Sequence, residues 1–142
     1  LNNPEATEKA FHNGWYRTGD VGIMEEDGFI RLVARIKEVI ITGGFNVHPL
    51  EVEEALLSHP DITDCAVVGM PRKDGSESVV AAITLGPGAA LDPEGLKEFC
   101  RGRLTRYKVP RTFYHFEDMP RDQMGKIRRR EVQAELIRKF IN

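Results

Sequence analysis

Two apolar runs of strand length, Asp64 to Gly69 and Val79 to Leu85, set the tightest limit on how this chain folds. Both are made of β-branched or small apolar residues, a composition that fits strands buried in a core. Met70 to Ser78, charged and containing Gly75, separates them. Helical signals surround the pair. Pro49 stands where a helix begins, and Glu51, Glu53 and Glu54 in its first turns favour the positive end of the helix dipole. Val52, Ala55 and Leu56 line one face of that helix until Pro60 stops it. Asp92 caps a second helix with Pro93 at its first position and Leu91 set to staple to Leu96. Its apolar face is Leu96, Phe99, Cys100 and Leu104. Arg111 to Phe116 alternates polar with aromatic and reads as a third strand, whereas Val132, Leu136 and Phe140 give Glu131 to Phe140 a helical period. The stretch between them, Glu117 to Gly125, is a polar loop.

Upstream, Asn3 to Phe11 with Pro4 near its start reads as a short helix that ends before Asn13-Gly14 and is followed by a loop. Asp20 to Met24 and Phe29 to Val33 form a hairpin over Glu25-Glu26-Asp27-Gly28. A second hairpin joins Val39-Ile40-Ile41 to Phe45-Asn46-Val47 through Gly43-Gly44, a tip bare of side chains. No internal repeat or low-complexity tract interrupts the pattern. The expected fold is a small α+β domain, with a β-hairpin and a roughly three-stranded sheet packed by about three helices.

Composition narrows the function classes. A length of 142 residues with 41% hydrophobic content suits one ordinary core. A net charge of -2, from 20 basic and 22 acidic residues, argues against a dedicated nucleic-acid binder. Cys65 and Cys100 sit in apolar stretches and read as small buried hydrophobes in a reducing compartment, not as a disulfide. No apolar run approaches the ~18 residues of a membrane span, so a soluble, cytoplasmic protein is expected, with peripheral membrane association left open. His12, His48, His59 and His115 have no spacing that builds a metal site. The basic run Lys126 to Arg130 suits nucleic acid, coenzyme phosphates or a solvated helix start, and the last is favoured. The chain opens on Leu1 and enters a helix-like segment at once, which suggests a piece of something longer.

Four segments carry chemistry: Tyr16-Arg17-Thr18-Gly19-Asp20, then Arg35 to Glu53, then Tyr107-Lys108-Val109-Pro110, then Met119-Pro120 through Gly125-Lys126-Ile127. Each alone is ordinary structure. In this order and spacing they resemble the last core motifs of the adenylate-forming superfamily, which holds AMP-forming acyl-CoA synthetases, peptide-synthetase adenylation domains and luciferases. The resemblance covers nearly the whole chain. It implies that residues 1–35 close a large N-terminal domain and that residues 36–142 form the small C-terminal lid. It implies the reaction of a carboxylic acid with ATP to acyl-AMP and pyrophosphate, followed by displacement of AMP by CoA.

Site roles follow from the same resemblance. Lys126 matches the lysine that serves adenylation, where a carboxylate meets the α-phosphate of ATP and a desolvated cation stabilises the transition state. Gly125 ahead of it permits a tight turn. Asp20 matches the aspartate that holds the ribose hydroxyls, with a turn cap as its bland reading, and Arg35 an arginine near the ribose, with a plain salt bridge as its own. Lys37 matches the hinge about which the lid swings. Gly43 and Gly44 match the loop that leaves room for the pantetheine arm of CoA. Magnesium is expected on the absent N-terminal domain, together with the phosphate loop and acyl pocket, so the fragment alone should be inactive. Ala34 and Glu38 depart slightly from the usual pattern. Gly44-Phe45-Asn46-Val47 and Gly125 to Arg130 look most like fatty acyl-CoA ligases of medium to long chain. A domain that loads a carrier protein, and a non-catalytic module that keeps the lid fold, remain as alternatives.

Overall fold

The computed structural model describes residues 3–141, so Leu1 lies outside the described residues. The chain divides into two compact units, Leu1–Lys37 and Glu38–Asn142.

In the smaller unit, Asn3 caps helix α1 (Pro4–Ala10) by accepting the Ala6 N–H at 3.1 Å. Strands β1 (Phe11–His12) and β2 (Trp15–Tyr16) follow, joined by Asn13 and Gly14 at φ 50° and 80°. An Asn-Gly pair with both residues at positive φ matches the twist of the flanking strands, so the segment read as a loop is a two-residue hairpin. β3 (Asp20–Met24) and β4 (Ile30–Arg35) form the hairpin expected over Glu25 to Gly28, with Asp20 opposite Arg35. Its second strand runs on through Ala34 and Arg35 instead of stopping at Val33. None of the described residues here is buried, and Trp15, Met24, Phe29, Ile30 and Leu32 are all exposed.

The larger unit begins with β5 (Ile40–Thr42) and β6 (Phe45–Val47), a hairpin whose tip is Gly43-Gly44. Helix α2 (Pro49–Leu57) leads into β7 (Ile62–Pro71), which pairs antiparallel with β8 (Glu77–Leu85). Helix α3 (Pro93–Arg101) is the crossover to β9 (Thr112–His115), which lies parallel to β8 and leaves β8 central. Helix α4 (Arg129–Phe140) ends the unit. The three-stranded sheet and its three helices are as expected. The separator Met70 to Ser78 is shorter than expected: Met70 and Pro71 extend β7, Glu77 and Ser78 open β8, and the reversal is a short turn closed by Arg72 N–H donating to Ser76 O at 2.9 Å.

The unbroken apolar runs have a simple cause. Cys65, Val67, Val79, Ala81, Ile83 and Phe113 face one side, where α2, α3 and the β5–β6 hairpin cover them with Val52, Leu56, Leu96, Cys100, Ile40 and Val47. Ala66, Val68, Met70, Val80 and Ala82 face the other, under Val132 and Leu136 of α4 and under Phe116 and Met119. With both faces buried, neither parity of residue can be polar.

β7 is an edge strand, and side chains occupy its outward backbone groups. The Val67 N–H donates to Glu53 Oε1 at 2.8 Å, and the Gly69 carbonyl accepts Gln133 Nε2 at 2.6 Å. Glu53, 5% exposed, is the one buried charged residue among the described residues. Its carboxylate also receives a two-bond fork from Arg129, Nε to Oε1 at 2.9 Å and Nη2 to Oε2 at 2.6 Å. Glu53 lies on α2 and Arg129 opens α4, so the fork passes round the β7 edge and joins helices that cover opposite faces. The expectation of a plainly solvated run from Lys126 to Arg130 is corrected here: Arg129 is drawn in by a carboxylate that needs a counter-charge.

Cys65 and Cys100 are free and buried in the same cluster. Burial, reinforced by the Glu53 charge, pushes the Cys65 thiol up to about 12, and burial pushes Cys100 up to about 11. Among the described residues no helix is long and apolar enough to cross a membrane.

Replacing Glu53 by Ala strips Arg129 of its fork and leaves the Val67 N–H without an acceptor, which should cost about 3 kcal/mol in urea unfolding. Both thiols should resist a chromogenic disulfide reagent at about pH 8 until the chain is unfolded. Because their folded pKa values lie above the ordinary 9.0, unfolded thiols ionise first as pH rises. Their contribution is complete below that value and is lost towards pH 11 to 12, so these thiols should lower the thermal midpoint on the alkaline side.

Candidate functional site

Lys126 ends a tight loop between β9 and α4. Arg121 and Ile127 form an antiparallel bridge at its base, and within it Asp122 N–H donates to Lys126 O at 2.8 Å. The Asp122 carboxylate turns inward and accepts the N–H groups of Met124 at 2.8 Å and of Lys126 at 3.0 Å. Those bonds stabilise its ionised form: the Lys126 N–H foremost, with Met124 and the charges of Lys126 and Arg128 adding to it, holds Asp122 below the usual carboxylate value. Gly125 takes φ 81°, a left-handed value that a side chain would resist. Its carbonyl accepts Arg121 Nη1 at 2.6 Å, and Arg121 in turn pairs with Asp64 on β7. The peptide ahead of Lys126 is thereby tied to the sheet. The Lys126 side chain is exposed and, among the described residues, makes no ion pair. A long cation therefore stands on a braced stalk.

In the smaller unit, the pairing of β3 with β4 sets Asp20 beside Arg35, with Nε 3.2 Å from Oδ1. The Asp20 side chain is 23% exposed and that of Arg35 68%. The Asp20 N–H donates to Thr18 Oγ1 at 3.1 Å, which bends the chain into the strand. The structure joins these two candidates in the salt bridge that sequence reading held as the bland account of Arg35. Lys37 lies in a 3₁₀ turn, Ile36–Glu38, with its side chain exposed.

Gly43 and Gly44 have φ 55° and 83°, and a Cβ built on either meets nothing within 4 Å. Backbone conformation alone therefore calls for glycine at this tip. Ile41 just before it donates its N–H to Glu77 Oε2 at 2.9 Å, anchoring the hairpin to the start of β8. Gly43 borders an open pocket of ≈ 480 Å³ that Arg72, Arg106 and Arg111 also line. Phe45 and Tyr107 stack at its wall, ring centroids 4.5 Å apart and planes 16° from parallel. Lys108, in the motif Lys108-Val109-Pro110, reaches back to both oxygens of Glu51 on α2 at 2.6 and 2.7 Å. That contact fixes the turn presenting Tyr107. Among the described residues no three metal-ligating side chains come together.

The candidates thus occupy four places: Asp20 with Arg35, Lys37 at the unit boundary, Gly43 with Gly44 at the pocket, and Lys126 on its loop. Sequence reading missed the pocket arginines, the Arg121–Asp64 tie and the Arg129 fork, whose partners lie 57 and 76 positions apart. Asp122 was legible in principle, since an Asp three residues before Gly favours a turn closed by its own side chain.

Comparison with known proteins places the chain. Residues 51–126 match the family model described as AMP-binding enzyme C-terminal domain. The 2-succinylbenzoate–CoA ligase of Geobacillus kaustophilus is 43% identical over 92% of this chain and 26% of its own length. A long-chain-fatty-acid–CoA ligase of Escherichia coli O157:H7 is 40% identical over 98% of this chain and 25% of its own. The solved o-succinylbenzoate CoA synthetase of Bacillus subtilis superposes in its acyl-adenylate complex with a TM-score of 0.85 and 34% identity, over 93% of this chain and 27% of that one. Its complex with ATP and a magnesium ion gives 0.82 and 35%, over 92% and 26%. The chain spans about a quarter of the length of the relatives it matches. With the fold, the ordered motifs and the matched residues in agreement, this chain belongs to the AMP-binding enzyme C-terminal domain family.

Proposed function

We propose that the chain is the C-terminal part of an ATP-dependent acyl-CoA synthetase, in which residues 36–142 act as the lid and residues 1–35 complete a larger N-terminal domain. The observation that carries this reading is the exposed Lys126, unpaired among the described residues, on a loop braced by Asp122, Arg121 and Asp64. A carboxylate approaching the α-phosphate of ATP brings two anions together, and a cation already in position lowers the cost of their charge without reorganising at the moment of reaction. The exposed apolar residues of the smaller unit, Trp15 and Phe29 among them, suit a surface that the rest of the larger domain covers.

In the second half-reaction CoA displaces AMP. The Gly43–Gly44 tip, bare of side chains, would leave room for its pantetheine arm, and Arg72, Arg106 and Arg111 in the pocket that Gly43 borders suit its phosphates. Asp20 offers two acceptor oxygens to the ribose hydroxyls, and Arg35 holds it in place. Lys37 absorbs the backbone change as the lid swings between the two half-reactions. Magnesium, which neutralises phosphate charge when bound, has no ligand cluster among the described residues and is assigned to the remainder of the enzyme. The acid is a fatty acid of medium to long chain, on the likeness of Gly44 to Val47 and Gly125 to Arg130 to such ligases.

Lys126→Ala in the enzyme that contains this chain should lower acyl-AMP formation by roughly 100-fold or more, about 3 kcal/mol, and should spare thioester formation from supplied acyl-AMP. Equal loss in both half-reactions would sink the assignment. Asp122→Ala should slow adenylation roughly tenfold by loosening the stalk, and Asp122→Asn, which keeps an acceptor oxygen, should stay near the parent rate. A ligation panel of acetate, octanoate, palmitate and an aromatic acid, each offered with CoA or a phosphopantetheinylated carrier protein, tests substrate class; preference for the carrier would displace the fatty acyl-CoA reading.

A further inference from the structure

The two compact units part between Lys37 and Glu38, and the side chains on either side of that bond differ in kind. Lys37 is exposed and, among the described residues, makes no ion pair. Glu38 is one-third exposed and its Oε2 accepts Arg129 Nη1 at 2.8 Å. The same guanidinium has its other edge committed to Glu53, whose side chain is 7% exposed. A planar group held along both edges cannot pivot, so Glu38 is fixed to the same frame as α2, the β7 edge and the first turn of α4. Lys126 lies just ahead of that turn, and Arg128 N–H donates to Pro120 O at 2.8 Å to close the loop that bears it.

We propose that Arg129 is a positioning residue that welds Glu38, the first residue past the pivot, to the arm that carries Lys126. The weld confines the change in backbone angles to Lys37 and the residues before it. It also transmits each swing of the lid to Lys126 without slack. Without it the pivot would spread into Glu38 and Val39, and the same rotation would deliver the ammonium and the Gly43–Gly44 tip to a wider range of positions. The swing of the lid and its kinetic effect rest on the acyl-CoA synthetase reading; the tie of Glu38 to Glu53 through Arg129 does not.

Glu38→Ala separates the clamp from the fold, because it leaves the Glu53–Arg129 fork intact. In the enzyme that contains this chain, kcat should fall roughly tenfold in both half-reactions with KM for ATP within about twofold, unlike Lys126→Ala, which affects the first alone. Glu38→Gln, which keeps an acceptor, should recover part of the loss. Arg129→Lys offers one ammonium and cannot serve both carboxylates, so adding Glu38→Ala to it should cost nothing more. In this chain itself, hydrogen exchange over the peptide Ile36 to Thr42 should quicken in Glu38→Ala while exchange in β7 and β8 stays as in the parent. Unchanged exchange overturns the weld, and faster exchange with both half-reactions within twofold of the parent reduces the pair to local structure and overturns the positioning role. If the parent enzyme forms no acyl-CoA yet exchange quickens as described, the functional reading fails and the weld stands.

Discussion

The buried carboxylate of Glu53 is the constraint round which the larger unit is built. A sheet covered on both faces has a problem at its outer strand, where backbone groups point sideways towards neither layer of helices. Glu53 meets that problem at Val67 and creates another, since an ionised carboxylate away from water demands a positive partner. Arg129 answers from the opposite layer. One charge pair thus caps the sheet edge, fastens α2 to α4 and leaves a third nitrogen for Glu38.

From that knot, stiffness is distributed unevenly. The Lys126 loop is held by Asp122 from within and by Arg121 and Asp64 from the sheet, yet its ammonium is free of any ion pair among the described residues. The Gly43–Gly44 hairpin is anchored through Ile41 to Glu77, yet its tip meets nothing. In both places a rigid base carries an unencumbered end. That arrangement suits the lid role proposed above, because orientation is set before the partner arrives.

Local signals were readable wherever chemistry and chain direction coincide over a few residues. The cap at Asp92, the helix starts at Pro4, Pro49 and Pro93, and the Gly43–Gly44 reversal all appear where neighbours in sequence dictate them. Asn13-Gly14 carries an equally clear turn signal, but the strands it joins have two residues each and are too short to show alternation. Met70 to Ser78 misled for a different reason: β7 and β8 continue past their apolar cores, and ladder pairing through Met70–Ser78 and Pro71–Glu77 holds polar residues in strand.

By itself the sequence determined the α+β composition, the two strands buried on both faces, and the ordered motifs that mark the family, with Lys126 behind its glycine. These depend on periodicity, capping and spacing, which act over a few residues or are matched directly. Only the tertiary structure decided which of the many charged residues matter to one another. Glu51 and Glu53 sit two positions apart on one helix, yet the first holds Lys108 at the surface and the second is buried against Arg129. Three consecutive arginines, Arg128 to Arg130, likewise look alike in the chain, and only Arg129 finds the buried carboxylate. An ion pair between distant segments is set by where packing brings them and by how much water it removes, and neither quantity is written in the spacing of the residues.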